Sequence, residues 1–402
     1  MPQWDALALQ LQQRIQQAGY ECVIVGGAVR DLLRGQTPVD YDLACSAPPE
    51  QLLTLLPSAH ATGGPYGTVT VCRSDADGVH QYEITPFRAE EGYSDGRHPD
   101  HVRFGVSLQE DLARRDFTVN AMAWDGSRVI DPFGGQADLS ARLIRTVGDP
   151  SRRFQEDGLR ILRALRFASA LSFALEADTL AAAIRCRGAL RSVSEPRIKS
   201  ELQAALLGRT PQALDAFLTA GGLRWLGLYP PQTAAEDAAG FTLAPLAGTP
   251  CRMLLRWWAF LTLLDADKKH VCSRLGFSQA FYRDLVLLDA FFATPADRVT
   301  LKRRAARGLP APMEDILQTF CALDARFEAD RSLWAQITQA HEPCTLDELA
   351  LSGRDLLALG LRGPAVGRRL RLLQEAVLAE PSLNRAAALA ALSQALDELE
   401  EG

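Results

Sequence analysis

The chain has 402 residues, 47% of them hydrophobic and 23% charged, with a formal net charge of −6. That length exceeds one ordinary domain, and that composition excludes a disordered or collagen-like chain. The most apolar stretch, Trp257–Leu264, has eight residues, far short of the roughly 20 needed to cross a bilayer, so no membrane partner is expected.

The apolar spacing of Leu7, Leu9, Leu11 and Ile15 predicts a helix over 4–18. No basic segment followed by an apolar one opens the chain, so no signal peptide is expected and the chain reads as cytoplasmic. Cys22–Val25 is a β-rich run closed by Gly26-Gly27. A second strand carries Asp40-Tyr41-Asp42-Leu43-Ala44, half-buried between Val39 and Leu43. Thr68–Val71 and Tyr82–Thr85 follow, and Val129–Ile130 reads as a short edge. Residues 1–140 therefore form a mixed α/β unit on a small sheet.

Beyond about residue 145 the strand signals vanish. Helices are expected over 154–171 and 195–207. Leu/Ala-rich helices then alternate with breaks at Tyr229-Pro230-Pro231, 244–250, 308–312 and Glu342-Pro343. Thr345-Leu-Asp-Glu348 is a capping box that opens a new helix, and the stripe Leu356, Leu357, Leu359 and Leu361 reads as core. No repeat of fixed period is visible.

Charge is unevenly spread. Residues 1–140 hold 10 basic and 19 acidic side chains, and residues 141–200 hold 12 and 6. An acidic unit thus precedes a basic one, which leaves room for a local nucleic-acid surface. Four of the 43 basic residues are lysine; arginine grips phosphate bidentately, although genome composition is the simpler main cause of the bias. The eight cysteines are scattered without a C-x-x-C pair, so they read as buried free thiols, not as a zinc site.

Gly26-Gly27-Ala28-Val29-Arg30-Asp31 lies between a strand and a helix. Backbone N–H groups at such a junction can approach an anion, and Arg30 adds charge; an ordinary strand-to-helix turn has the same look. Asp40 and Asp42 are spaced i, i+2, so on a strand they share a face. Two carboxylates there repel unless a cation lies between them, and divalent ions that bridge aspartates to phosphate are the usual means of in-line phosphoryl transfer. Glu83, on a later strand, is a candidate third carboxylate or a surface residue.

Together these features resemble the polymerase-beta-like nucleotidyltransferases, and in particular the class II tRNA nucleotidyltransferases (CCA-adding enzymes and bacterial poly(A) polymerases). The stretches that carry the resemblance are Gly26–Asp31, Asp40-Tyr-Asp-Leu43, Phe87-Arg88 with the loop Tyr93-Ser-Asp-Gly-Arg97, Asp111–Ala121, Asp131–Gly135, Val147–Pro150, Arg153–Arg163 and Glu195–Ile198 with Glu201. The fold class implied is α+β: a polymerase-beta-like head, a small mixed sheet with helices, followed by an all-α neck, body and tail. The implied division is a catalytic head (1–145), a neck that recognises the base (146–210), a helical body (211–340) and a tRNA-binding tail (341–402).

The resemblance implies CCA addition to tRNA from CTP and ATP, by attack of the tRNA 3′-hydroxyl on the α-phosphate with release of pyrophosphate. It implies Mg²⁺ held by Asp40 and Asp42, and a triphosphate gripped by Gly27 and Arg30. Arg114 matches a nucleotide-contacting arginine. Asp157 and Arg160 match the pair that chooses the base. On one helix they would be neighbours, able to accept from the exocyclic amino group of C or A and to donate to its ring; a plain ion pair has the same spacing. Arg163 and Arg166 continue the series, and Arg166, half a turn from Asp157, reaches the site only if the site wraps the helix. Residues 88–100 match a mobile loop that CC-adding relatives lack. Tyr66 stands where histidine is the more common residue. Lys302-Arg303-Arg304 with Arg307, and Gly363-Pro364 with Arg368-Arg369, are candidates for tRNA phosphate contacts or solvated helix faces. No histidine is followed by Asp, so no phosphohydrolase activity is expected. An A-adding enzyme, a bacterial poly(A) polymerase and a catalytically silent RNA-binding protein are the alternatives.

Overall fold

A computed structural model describes residues 4–75, 78–94, 96, 98–228 and 241–401. Asp5 caps the first helix, α1 (Ala6–Gln17), by accepting from the N–H groups of Leu7 and Ala8, as short polar side chains do at helix starts. The chain then runs through β1 (Cys22–Val25), α2 (Gly27–Leu33), β2 (Tyr41–Cys45), α3 (Pro49–Leu55), β3 (Ala59–Ala61), β4 (Val69–Asp75) and β5 (Gly78–Pro86). There follow β6 (Arg88–Glu91), β7 (His101–Phe104), α4 (Leu108–Ala113), β8 (Ala123–Trp124) and β9 (Val129–Ile130).

Seven strands form one mixed sheet in the order β3-β4-β5-β2-β1-β8-β9. Only β2 and β5 are parallel neighbours. Side-chain alternation along β1 divides the core. Cys22 and Ile24 join Tyr41, Leu43, Tyr82 and Ile84 on the face covered by α1. Val23 and Val25 join Ala44, Phe87 and Leu112 on the other. Asp42, between Tyr41 and Leu43, therefore emerges on the second face, and so does Glu83, between Tyr82 and Ile84.

Two expectations for this region change. Val39 is 86% exposed, because the strand begins only at Tyr41 and Asp40 precedes it. Arg88–Glu91 is not loop: it pairs with His101–Phe104 as a hairpin, which leaves 92–100 as the connection. Asp95 and Arg97, from the motif in that connection, lie outside the described residues.

After α5 (Gly135–Ala141) and β10 (Leu143–Ile144), the expected helix over 154–171 is two helices, α6 (Pro150–Glu156) and α7 (Leu159–Leu171). They are separated by Asp157, whose backbone is extended (φ −145°, ψ 109°), and by Gly158. A Cβ on Gly158 would lie 2.4 Å from the carbonyl oxygen of Ala189, so the 3₁₀ turn Arg187–Ser192 packs directly on the break. Strands do not end at 145 either: β11 (Ala174–Leu175) pairs with β10 in parallel. Two further helices are α8 (Ala177–Arg185) and α9 (Glu195–Leu206). Ser169, on α7, donates to the carbonyl of Ala205, on α9, at 2.6 Å.

The chain splits into two compact units, one of Met1–Ala247 with Leu264–Phe277 and the other of Gly248–Leu263 with Ser278–Gly402. The second is built of helices. Its core contains Trp258, whose ring centroid lies 4.9 Å from Phe320 and 5.0 Å from Phe292. The break at Tyr229-Pro230-Pro231 lies outside the described residues. The capping box at Thr345 forms, but it opens only the single turn Leu346–Glu348, and the next helix starts at Gly353. Of the leucine stripe, Leu356 is buried, whereas Leu357 and Leu359 are 43% and 42% exposed, since a helix ending at Ala358 is too short to turn all four inward.

The basic clusters also sort themselves by burial. Lys302 is fully buried on Glu342, 3.0 Å away, and Arg369 is buried against Ser393 and Asp397, so neither is available to a phosphate. Arg303 pairs with Glu375 at 2.6 Å. Arg368 stays exposed in the helix Pro364–Ala379. All eight cysteines are free thiols, but Cys72 and Cys251 are exposed and do not fit the expectation of burial.

Candidate active site

The site is a cavity of about 600 Å³ in the first unit. Its floor begins where β1 ends. Gly26 has φ +73° and donates its N–H to the carbonyl of Met122 at 3.2 Å. A Cβ on Gly26 would lie 3.2 Å from Arg115 Nη1 and 3.9 Å from Asp42 Oδ2. Glycine is thus required twice at this position, by the left-handed backbone and by the space. Gly27 opens α2 and is less constrained, its nearest neighbour being Arg30 Nη2 at 3.6 Å.

Arg30 projects from α2 and is buried. Its Nη1 donates to Asn120 Oδ1 at 2.6 Å, and its Nε and Nη2 donate to Asp31 at 2.9 and 3.0 Å. Asp40 and Asp42 line the same cavity. Glu83 is not among the lining residues; it is the register partner of Asp42 across the parallel β2–β5 ladder. Asp42 is reached by solvent through the cavity. Even so, the protein crowded around it pushes its carboxyl above the ordinary range; Arg115 draws it back, and the like charges of Glu83 and Asp40 push it up again.

The wall opposite is an arginine–carboxylate lattice. Asp111, fully buried, accepts from Arg114 at 2.8 and 3.0 Å and from Arg115 at 3.3 Å. Burial works against its charge, but the two arginines hold it below the ordinary carboxylate range. Arg114 also reaches Glu90 at 3.1 Å, and Glu90 accepts from Arg88 and Tyr93, both at 2.7 Å. Tyr66 lies under Arg88, whose guanidinium sits 4.7 Å from the ring centroid.

The far side is contributed by α6, α7 and α9. Asp157 Oδ1 caps α7 by accepting from the N–H of Leu159 at 2.9 Å, and its Oδ2 accepts from Arg197 at 3.2 Å. Arg160 donates to Glu156 at 2.7 Å and to the carbonyl of Arg114 at 3.2 Å. The pair expected as helix neighbours is therefore joined by the cavity it lines and not by a shared face. Arg163 pairs with Asp116 at 2.6 Å. Arg166 Nε lies 2.6 Å from Glu201 Oε2, off line for a hydrogen bond. Arg160, Arg163 and Arg166 all line the cavity with Phe167. Arg166 reaches it because the site runs along α7 from Leu159 onward and does not centre on Asp157.

Sequence reasoning named Asp40, Asp42, Arg30, Gly27, Arg114, Asp157, Arg160, Arg163 and Arg166, and all of them lie in or beside this cavity. It missed Gly26, Glu90, Arg115, Asp116, Asn120, Leu159, Phe167 and Arg197 as individual residues. Seven of those eight lie inside the quoted stretches Gly26–Asp31, 88–100, Asp111–Ala121, Arg153–Arg163 and Glu195–Ile198; Phe167 follows Arg166 directly and stood outside them.

Seven arginines and five carboxylates line the cavity, so it presents excess positive charge to a polyanion. Arg115 Nε is buried with no hydrogen-bond partner among the described residues. Asp40 and Asp42 are hard oxygen donors under mutual repulsion, the chemistry that suits a divalent cation such as Mg²⁺. Among the described residues no group of three or more His, Cys, Asp and Glu is gathered as a metal cage.

A mixed-sheet head and a cationic cavity floored by paired aspartates define a nucleotidyltransferase. Residues 22–145 match the family described as Poly A polymerase head domain. The CCA-adding enzyme of Lacticaseibacillus paracasei is 35% identical over 386 residues, which cover 92% of each chain. A closer but shorter match, to the CCA-adding enzyme of Levilactobacillus brevis, is 46% identical over 224 residues, and the chain spans 55% of that relative's length. The crystal structure of the Bacillus stearothermophilus CCA-adding enzyme in complex with CTP superposes with a TM-score of 0.71 at 30% identity, covering 98% of both chains. This chain belongs to the CCA-adding enzymes.

Proposed function

We propose that this chain adds C, C and A to the 3′ end of tRNA from CTP and ATP without a nucleic-acid template. The observation that carries this reading is the convergence, in one cavity, of Asp40 and Asp42, before and within β2, with Asp157, at the break between α6 and α7, and Arg160 from α7. Phosphoryl-transfer groups and base-reading groups then act on one bound nucleotide.

Asp40 and Asp42 would hold the divalent metal, assigned as Mg²⁺; when bound it supplies charge neutralisation for the triphosphate and acidifies the attacking hydroxyl. Glu83, through its register with Asp42, is the candidate third carboxylate. Arg30, Arg163 and Arg166 bind the triphosphate, with the N–H of Gly27 at its end. Arg114 orients the nucleotide. Asp157 accepts from the exocyclic amino group of C or A, and Arg160 donates to the ring acceptor. U and G present the opposite pattern and leave buried polar groups unpaired, which is costly. The tRNA 3′-hydroxyl attacks the α-phosphate, and pyrophosphate leaves.

In this reading residues 1–145 are the catalytic head, 146–210 the neck, 211–340 the body and 341–402 the tail that holds tRNA by shape and phosphate contact, with Arg368 as the exposed basic candidate. The enzyme acts in the cytoplasm, where its substrates are; no helix among the described residues is long and apolar enough to cross a membrane. The test uses three matched tRNAs, ending before CCA, after C and after CC, each with CTP, ATP or both. Stepwise addition of C, C and A to the shortest is expected. Addition of A alone, to the CC-ending tRNA only, would replace this reading with that of an A-adding enzyme.

A further inference from the structure

Three of the arginines in the cavity share one aromatic ring. The guanidinium carbons of Arg30, Arg163 and Arg166 lie 5.4, 5.4 and 4.2 Å from the centroid of Phe167. Each arginine has a separate anchor elsewhere: Asn120 and Asp31 for Arg30, Asp116 for Arg163, Glu201 for Arg166. Asn120 donates to Asp116 at 3.2 Å, so the anchors of Arg30 and Arg163 are themselves joined; Arg166 is held from a different segment, and the ring is what brings it together with the other two. Phe167 is 8% exposed and is itself fixed by Phe117, which meets it edge-on at 5.7 Å and 77° and is fully buried.

Three like charges gathered in a cavity repel one another. A π-face partly offsets that repulsion, because its quadrupole attracts a cation placed over it, and more strongly where water is excluded. Leucine would fill the same volume without this effect. We propose that Phe167 is a positioning residue for the nucleotide's triphosphate: its ring holds Arg30, Arg163 and Arg166 turned towards one point, so the polyanion meets a preformed tricationic cradle. The inference rests on the proposed nucleotide-binding role of the cavity. Phe167 acts on the phosphates through the arginines and does not choose the base, so CTP and ATP are affected alike.

The test replaces Phe167 by 4-fluoro-, 3,5-difluoro- and 3,4,5-trifluorophenylalanine in the full chain, and by Leu and Tyr in parallel. Fluorination drains the π-face with little change in shape. The expected result is a stepwise rise in KM for CTP and for ATP, about tenfold at the last step for contacts of this kind. kcat should change little, and Kd for inorganic tripolyphosphate, measured calorimetrically, should rise in parallel. Phe167→Leu should resemble the trifluoro protein, and Phe167→Tyr should stay near wild type. KM and tripolyphosphate Kd that ignore fluorination would overturn the inference, as would Leu and Tyr variants that are equally impaired, since both results mean the residue only fills space. Wild-type protein that binds tripolyphosphate but adds no nucleotide to tRNA would instead overturn the proposed function and leave the cradle standing.

Discussion

Asp157 and Arg160 line one cavity although a helix break divides them: Asp157 closes α6 with extended backbone, and Arg160 sits in the first turn of α7. Asp157 is thereby free to cap α7 with one oxygen and meet Arg197 with the other. A continuous helix would have spent that carboxylate on its own neighbours.

Base choice should depend on both members of the pair. Asp157→Ala and Arg160→Ala are each expected to narrow the preference for CTP and ATP over UTP and GTP by roughly 10–100-fold, the worth of one buried charged hydrogen bond. Single-nucleotide incorporation with all four triphosphates on matched tRNAs measures this. Unchanged discrimination in both variants would place base recognition elsewhere.

Asp42 separates activity from stability. Its carboxyl is pushed above the ordinary range by its surroundings, with Glu83 and Asp40 adding to the effect, so the folded state disfavours its charge. Asp42→Asn should therefore melt at the same temperature as wild type or higher, while incorporation falls by about 10³-fold with the loss of a metal-binding carboxylate. Glu83→Gln should lose less, because Glu83 does not line the cavity. An equal loss in the two variants would make Glu83 a full third ligand.

The two glycines of the first motif should respond differently. Gly26→Ala puts a side chain on a backbone with φ +73° and ψ −129° and against Arg115; a cost of about 1–3 kcal/mol from a conformation that residues with a Cβ rarely adopt is expected, together with loss of incorporation. Gly27→Ala keeps the N–H and meets only ordinary contact, so it should retain activity. Thermal melts with paired incorporation assays give the comparison.

Acid should weaken the first unit through Asp116. Burial opposes the charge of this residue, yet Arg163 and Asn120 hold its carboxyl below the ordinary value of 3.8. A depressed folded value means that the stabilisation is fully present above 3.8 and is lost as pH falls through the folded value. Asp116→Asn should flatten the dependence of stability on pH below about 4. Because Arg163 keeps about a third of its side chain in solvent, losing the ion pair at neutral pH should cost less than it would for a fully buried pair. Denaturant melts from pH 7 downward measure both effects.

Much of this molecule was legible in the residues themselves. The β-rich run Cys22–Val25, alternation in Asp40–Ala44, glycine at the strand end, and the order of the arginine and carboxylate motifs set the sheet, the turn and the contents of the site. These are local properties: a period of two, a backbone that only glycine adopts readily, a charge that needs a partner.

Tertiary packing decided the rest. Gly158 against Ala189 broke a helix that periodicity alone would continue. The pairing of Arg88–Glu91 with His101–Phe104 turned a polar segment into a hairpin, a ladder that no single segment encodes. Lys302 and Arg369 look like surface charges in sequence and are buried, because their counter-charges Glu342 and Asp397 lie 40 and 28 residues away. The grouping of Arg30, Arg163 and Arg166 around Phe167 follows the same rule: sequence supplied the charges, and only the folded chain chose which ring they share.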